Sequence, residues 1–144
     1  MVKANLQQIN SRCQYNPFTR WLGMEVTEHT HDTLRFTVKF REEMIGSPDT
    51  GYLHGGVSAA IIDNACCFVL ALQAGKFVPT IDMRIDYHRG SKPEYGIQGY
   101  AKILKYGKTV SSAEAFIESD DGTLLTSGRC TFFTGYEPPK SQLN

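Results

Sequence analysis

Asp63 is the residue that most needs a chemical explanation, because it lies in an apolar run beside Ile61, Ile62, Ala65, Cys66 and Cys67. An Asp is almost never buried without a partner or a task. A carboxylate held in such a place suits work as a general base or as a nucleophile. Upstream of it stands His54-Gly55-Gly56. Glycines let a ligand approach the backbone closely. The N–H groups of a first helical turn lack intrahelical partners and present the positive end of the helix dipole, so Gly55 and Gly56 suit an oxyanion. His54 reads either as the cap of that helix or as a substrate contact. With His88 it supplies too few convergent ligands for a metal. The adjacent thiols Cys66 and Cys67 point about 100° apart on a helix. Nothing next to them would lower a thiol pKa, so they read as core.

These residues need a helix to carry them. From Val57 to Ala74 the chain has neither proline nor glycine, and Gly75 then offers a C-terminal stop. Residues on nearly every side of this segment are apolar, which predicts a helix buried all round. A membrane span needs about 20 uninterrupted apolar residues, and Asp63-Asn64 interrupts this run. Eight residues at about 1.5 Å each put Gly55 roughly 12 Å from Asp63, too far for both to act on one carbonyl carbon. If they cooperate, they come from two copies of the helix running antiparallel across a dimer axis.

Around the helix the pattern changes to strands. Leu6, Ile9 and Cys13 recur at helical spacing and predict a short surface helix within residues 1–15, ending near Asn16-Pro17. Phe18, Trp21 and Leu22 cluster as an apolar plug over one end of the core. Met24 and Val26, then Leu34, Phe36, Val38 and Phe40, alternate with polar residues, which predicts two antiparallel strands with one wet face. Residues 42–53 form the loop that leads into the helix. After it, Ile81, Met83, Ile85 and Tyr87 alternate with Thr80, Asp82, Arg84 and Asp86 in a third strand. Three more are expected at 95–105, 109–118 and 123–133, the last two joined through the Asp121-Gly122 hairpin signal. Residues 137–144 read as a disordered tail.

Composition bounds the class. A chain of 144 residues, 41% hydrophobic and 21% charged, is expected to form a single soluble globular domain, and the order of its strands and helix makes it α+β. With 15 basic and 15 acidic residues, it has no charge excess to support a nucleic-acid or membrane-surface partner. Four cysteines without CxxC spacing read as free thiols in a reducing compartment. The first residues lack the apolar core of a secretory signal, so a cytoplasmic location is expected.

The order of two strands, one long apolar helix and four antiparallel strands resembles the hotdog fold, a central helix wrapped by a curved sheet of five to six strands. His54-Gly55-Gly56 with Asp63, the run Thr80-Ile-Asp-Met-Arg-Ile-Asp-Tyr87, and Lys105-Tyr-Gly-Lys108 resemble the acyl-CoA thioesterases of the phenylacetate-degradation type over roughly residues 16–134. The resemblance implies that the Gly55 N–H polarises the thioester carbonyl. It also implies that Asp63 of the other subunit attacks that carbonyl or activates a water, with the Thr80 hydroxyl close by. His54 joins this catalytic set, and Gly56, Arg89, Lys92, Lys105, Gly107 and Lys108 are the candidates for holding the CoA portion. Some relatives carry Asn or Gln six residues before the His. This chain has Pro48 there, with Asp49 beside it, which leaves the second carbonyl donor unassigned.

The expectation is therefore a homo-oligomeric acyl-CoA thioesterase, a dimer or dimer of dimers, that uses neither metal nor prosthetic group, CoA being part of the substrate. Two alternatives stay open. One is a non-catalytic acyl-CoA-binding or scaffold protein, since fold does not fix function. The other is an acyl-thioester dehydratase, which would want its His opposite the carboxylate in a different loop.

Overall fold

The computed structural model describes residues 5–92 and 96–139. Two short helices come first, α1 (Leu6–Tyr15) and α2 (Pro17–Leu22), followed by the strands β1 (Met24–His29) and β2 (Thr33–Val38). A 3-10 turn, Glu42–Met44, precedes the long helix α3 (Gly55–Ala74). The strands β3 (Thr80–Tyr87), β4 (Ile97–Lys105), β5 (Val110–Glu118) and β6 (Leu124–Phe133) complete the chain. All six strands form one antiparallel sheet in the order β1-β2-β4-β5-β6-β3.

The sheet wraps α3 because its middle is made of small residues. Across the inner face the register runs Leu34, Ala101, Ala115, Gly128, Ile85, so bulk stands at the flanks and a trough lies between. A Cβ on Gly128 would come within 2.5 Å of the Ile62 side chain, so a glycine is required for α3 to lie this deep. Ile61, Ile62, Ala65, Cys66, Val69 and Leu70 fill the trough and are fully buried. Each such large aliphatic side chain contributes about 1.5–3 kcal/mol on burial.

The predicted all-round burial of α3 does not hold within one chain. Ala59, Ala60, Asp63, Asn64 and Cys67 are only half-buried, because the sheet covers one side of the helix and leaves the other side open. α3 is long and apolar enough to cross a membrane by length and composition, and in this fold its buried face is spent on the sheet.

The two sheet edges differ. At the β1 edge, the Asn10 side chain both donates to the Val26 carbonyl at 2.9 Å and accepts the Val26 N–H at 2.8 Å, so α1 covers that edge. A reciprocal capping box between Asn5 and Gln8 starts α1. At the other edge, Ile81, Met83 and Tyr87 are 54%, 38% and 56% exposed, and the strand alternation read from sequence produces no buried face within the chain, Ile85 and Asp86 being only half-buried. An exposed apolar edge is a template for pairing with another chain.

Phe18 and Trp21 also depart from expectation. Leu22 is fully buried, whereas the two aromatic rings stack at 5.8 Å on the surface, about half exposed, with the Arg41 guanidinium 4.2 Å over Trp21. The short helix α2 turns Thr19 and Leu22 inward, and its other face is left to the solvent. At the C-terminal end, Glu137 pairs with Lys76 at 3.0 Å. The remainder of the expected tail, residues 140–144, lies outside the described residues.

Candidate active site

At the start of α3 nearly every amide has an acceptor. The His54 N–H donates to the Met44 carbonyl at 2.8 Å, which anchors the loop before the helix. Its ring Nδ1 accepts the Gly56 N–H at 2.8 Å, so His54 is the N-cap, with the ring proton on Nε2. The His54 carbonyl accepts both Val57 N–H at 2.9 Å and Ser58 N–H at 3.2 Å. Among the described residues, the Gly55 N–H is the one amide of this turn left without an acceptor. This is the arrangement an oxyanion needs, a backbone donor at the positive end of a helix that is 20 residues long.

Space beside both glycines is tight, so a side chain at either would make its neighbour give by a few tenths of an ångström. A Cβ on Gly56 would sit 3.0 Å from His54 Nδ1, and one on Gly55 would sit 3.2 Å from the Tyr87 hydroxyl. The capping role predicts that His54→Ala lowers stability by about 0.5–2 kcal/mol and that His54→Asn, another good N-cap, restores most of it. Urea midpoints of the three proteins measure this, and an unchanged His54→Ala midpoint removes the cap from the account.

Beside Gly55 opens a cleft of about 340 Å³, lined by Ser58, Tyr87, His88, Arg89, Gly90 and Thr126 among others. Ser58 and Thr126 are buried on its floor, and His88 Nε2 lies 2.7 Å from the Ser127 hydroxyl. The loop carrying Arg89 closes tightly on the one before α3. Leu53 N–H donates to the Ser91 carbonyl at 2.8 Å, and Lys92 Nζ lies 5.7 Å from the centre of the Tyr52 ring.

Two turns along α3, Asp63 Oδ1 accepts the Thr80 hydroxyl at 2.7 Å. Thr80 begins β3 and is exposed, so this half-buried carboxylate is oriented yet open to the outside. On its flank, Asn64 accepts the Thr19 hydroxyl at 2.7 Å and donates to the Ala60 carbonyl at 2.9 Å, which leaves it structurally occupied. The thiols are poor nucleophiles here. Burial pushes Cys67 up to about 11 and Cys13 to about 12. Contact with Cys130, together with burial, lifts Cys66 well above the ordinary range.

The structure divides the predicted residues into two groups. Gly55, His54, Gly56, Arg89 and Lys92 gather at the Tyr87 end of β3. Asp63 and Thr80 stand at its other end, where the β4–β5 turn also brings Lys105, Gly107 and Lys108. Gly107 has a structural duty in that turn: its N–H donates to Ser111 Oγ at 2.9 Å and its carbonyl accepts from Thr134 Oγ1 at 2.6 Å. Pro48 lies exposed in the loop before the helix. Sequence reasoning missed Tyr87, whose hydroxyl donates to the Gly55 carbonyl at 2.6 Å. Its position at the end of a strand was visible, but its partner 32 residues away was not.

Residues 50–126 match the thioesterase superfamily. A solved protein from that superfamily superposes with a TM-score of 0.81 at 35% identity, covering 89% of this chain and 96% of its own. Zebra fish thioesterase superfamily member 2 gives a TM-score of 0.82 at 25% identity, covering 92% of this chain and 99% of its own. Acyl-coenzyme A thioesterase 13 of Homo sapiens is 32% identical over 87 residues, which is 59% of this chain and 62% of that protein. The match therefore spans less than two thirds of that curated relative's length.

Proposed function

The chain belongs to the thioesterase superfamily and has its hotdog fold, and from that premise we propose that it hydrolyses an acyl- or aryl-CoA thioester to the free acid and CoA at a site shared between two copies of the chain. The observation that supports this reading is the separation of two complementary groups within one chain. The unpartnered Gly55 N–H stands at one end of β3 and the Thr80-held Asp63 carboxylate at the other. Neither half alone performs acyl transfer.

Two copies related by a two-fold axis, with their β3 edges and open α3 flanks opposed, bring the Gly55 end of one chain to the Asp63 end of the other. Exposed Ile81 and Met83 and the half-buried stripe Ala60, Asp63, Asn64 and Cys67 support that apposition. The same symmetry carries Lys105 and Lys108 of one copy toward Arg89 and Lys92 of the other, a basic group suited to the phosphates of CoA.

In this site the thioester oxygen accepts the Gly55 N–H, and the charge that develops on it is stabilised by the helix dipole. The Asp63 carboxylate adds to the carbonyl carbon, or removes a proton from a water that does. The C–S bond then breaks and CoA leaves with its thiol protonated from solvent; where Asp63 itself has attacked, a water then hydrolyses the resulting mixed anhydride to the free acid and restores the carboxylate. The net change consumes one water and needs no redox partner. The relative's name supports an acyl-CoA substrate, and the motif run supports the phenylacetate-degradation type within the family.

Thiol release from a panel of aliphatic and aromatic acyl-CoAs tests the reaction. A protein that binds these esters without releasing thiol belongs to the binding class, and hydration of a 2-enoyl thioester identifies a dehydratase. Mixing Gly55→Pro with Asp63→Asn chains tests the shared site. Each parent is expected to be nearly inactive, and a heterodimer regains one intact site in two. Mixtures no more active than the parents argue for a site within one chain.

A further inference from the structure

We propose that Tyr87 is a positioning residue that holds the Gly55 amide in line for the reacting carbonyl, an inference that rests on the reading of Gly55 as the oxyanion donor. The need for such a residue follows from glycine itself. A side chain at 55 would press on the Tyr87 ring, and the glycine that stands there samples backbone conformations that other residues cannot. The amide that must be aimed most accurately therefore sits on the least constrained backbone.

The peptide planes on either side of Gly55 are restrained from outside. The plane before it is held at the His54 carbonyl by two donors, Val57 N–H at 2.9 Å and Ser58 N–H at 3.2 Å. The plane after it is held at both ends: the Gly56 N–H donates to His54 Nδ1 at 2.8 Å, and the Gly55 carbonyl accepts the Tyr87 hydroxyl at 2.6 Å. The Tyr87 ring also lies where a side chain at 55 would be, with Oη, Cζ and Cε1 at 3.2, 3.3 and 3.4 Å from the Cβ position. It supplies from β3 the steric constraint that glycine lacks.

Tyr87 is well placed to do this without being essential to the fold. Its backbone pairs with Thr126 of β6, so the ring is mounted on the sheet and not on a loop. The side chain is 56% exposed, so little core depends on it. In the single chain this hydroxyl is open to solvent, and it is committed to the Gly55 carbonyl, one peptide plane beyond the free amide.

Tyr87→Phe keeps the ring and removes only the hydroxyl. The expected result is a kcat lowered about tenfold with KM changed by less than about twofold, because a slightly misaimed donor weakens transition-state contact more than ground-state binding. Its melting temperature should stay within a few degrees of the parent, which separates a change in aim from a change in folding.

A double-mutant cycle with Gly55→Pro completes the test. With no amide left to aim, Tyr87→Phe should cost nothing further in the Gly55→Pro background. Losses that multiply, a kcat unchanged in the single variant, or a rise in KM alone would each overturn the positioning role. If Gly55→Pro itself keeps full kcat, the oxyanion reading fails first. If Gly55→Pro is impaired and Tyr87→Phe is not, the inference about Tyr87 fails alone.

Discussion

The Asp63→Asn protein is expected to fold, to bind CoA product and to lose turnover by about 10² to 10⁴, the range that a positioned acid or base contributes. Asparagine has nearly the shape of aspartate, and its carbonyl oxygen can still accept the Thr80 hydroxyl that now bonds Asp63 at 2.7 Å. The substitution therefore removes charge and basicity while the contact survives. A purely structural Asp63 makes the opposite pattern: stability falls by roughly 1–3 kcal/mol through an imperfect polar contact, and each folded molecule remains fully active. Thr80→Ala should reduce kcat less than Asp63→Asn, because it frees the carboxylate without removing it. Melting temperature, CoA binding and kcat measured on one preparation separate these patterns, and a destabilised, fully active Asp63→Asn would move the chain to the binding class.

Replacing Gly55 with proline is expected to cost about 10² to 10³ in kcat, the usual consequence of losing one oxyanion donor. The backbone is ready for it. Gly55 is the first residue of α3, where proline is favoured, and His54 already has the extended ψ of 133° that a residue before proline adopts. The new ring must displace Tyr87 by a few tenths of an ångström, since a Cβ there lies 3.2 Å from the hydroxyl. Gly55→Ala isolates that effect, for it adds the same Cβ and keeps the N–H. Proline should be far more damaging than alanine. Equal losses would show that crowding, and not the missing amide, is responsible.

Much of the scaffold was legible because its signals are local. The run from Val57 to Ala74, stopped by Gly75 at φ 69°, dictates a helix from its own composition. Leu34, Phe36 and Val38 alternate with polar residues and become a strand with one buried face. An Asp in an apolar helix and two glycines at its start marked the candidate site residues, since each breaks a rule that neighbouring residues obey.

What the sequence by itself determined is thus the identity of the elements and the oddity of Asp63 and Gly55. Composition and periodicity left open what surrounds them, because those contacts join distant segments; the family resemblance put Thr80 near Asp63, and only the tertiary structure decided the contacts themselves. Thr80 finds Asp63 across 17 residues, and Tyr87 finds Gly55 across 32. No periodicity encodes either pairing; both follow from β3 lying antiparallel to β6 beside the helix. Burial was decided at the same level. An apolar helix predicts cover on every side, but one curved sheet has only one concave face. Ala60, Asp63, Asn64 and Cys67 are left half-open on the side it cannot reach.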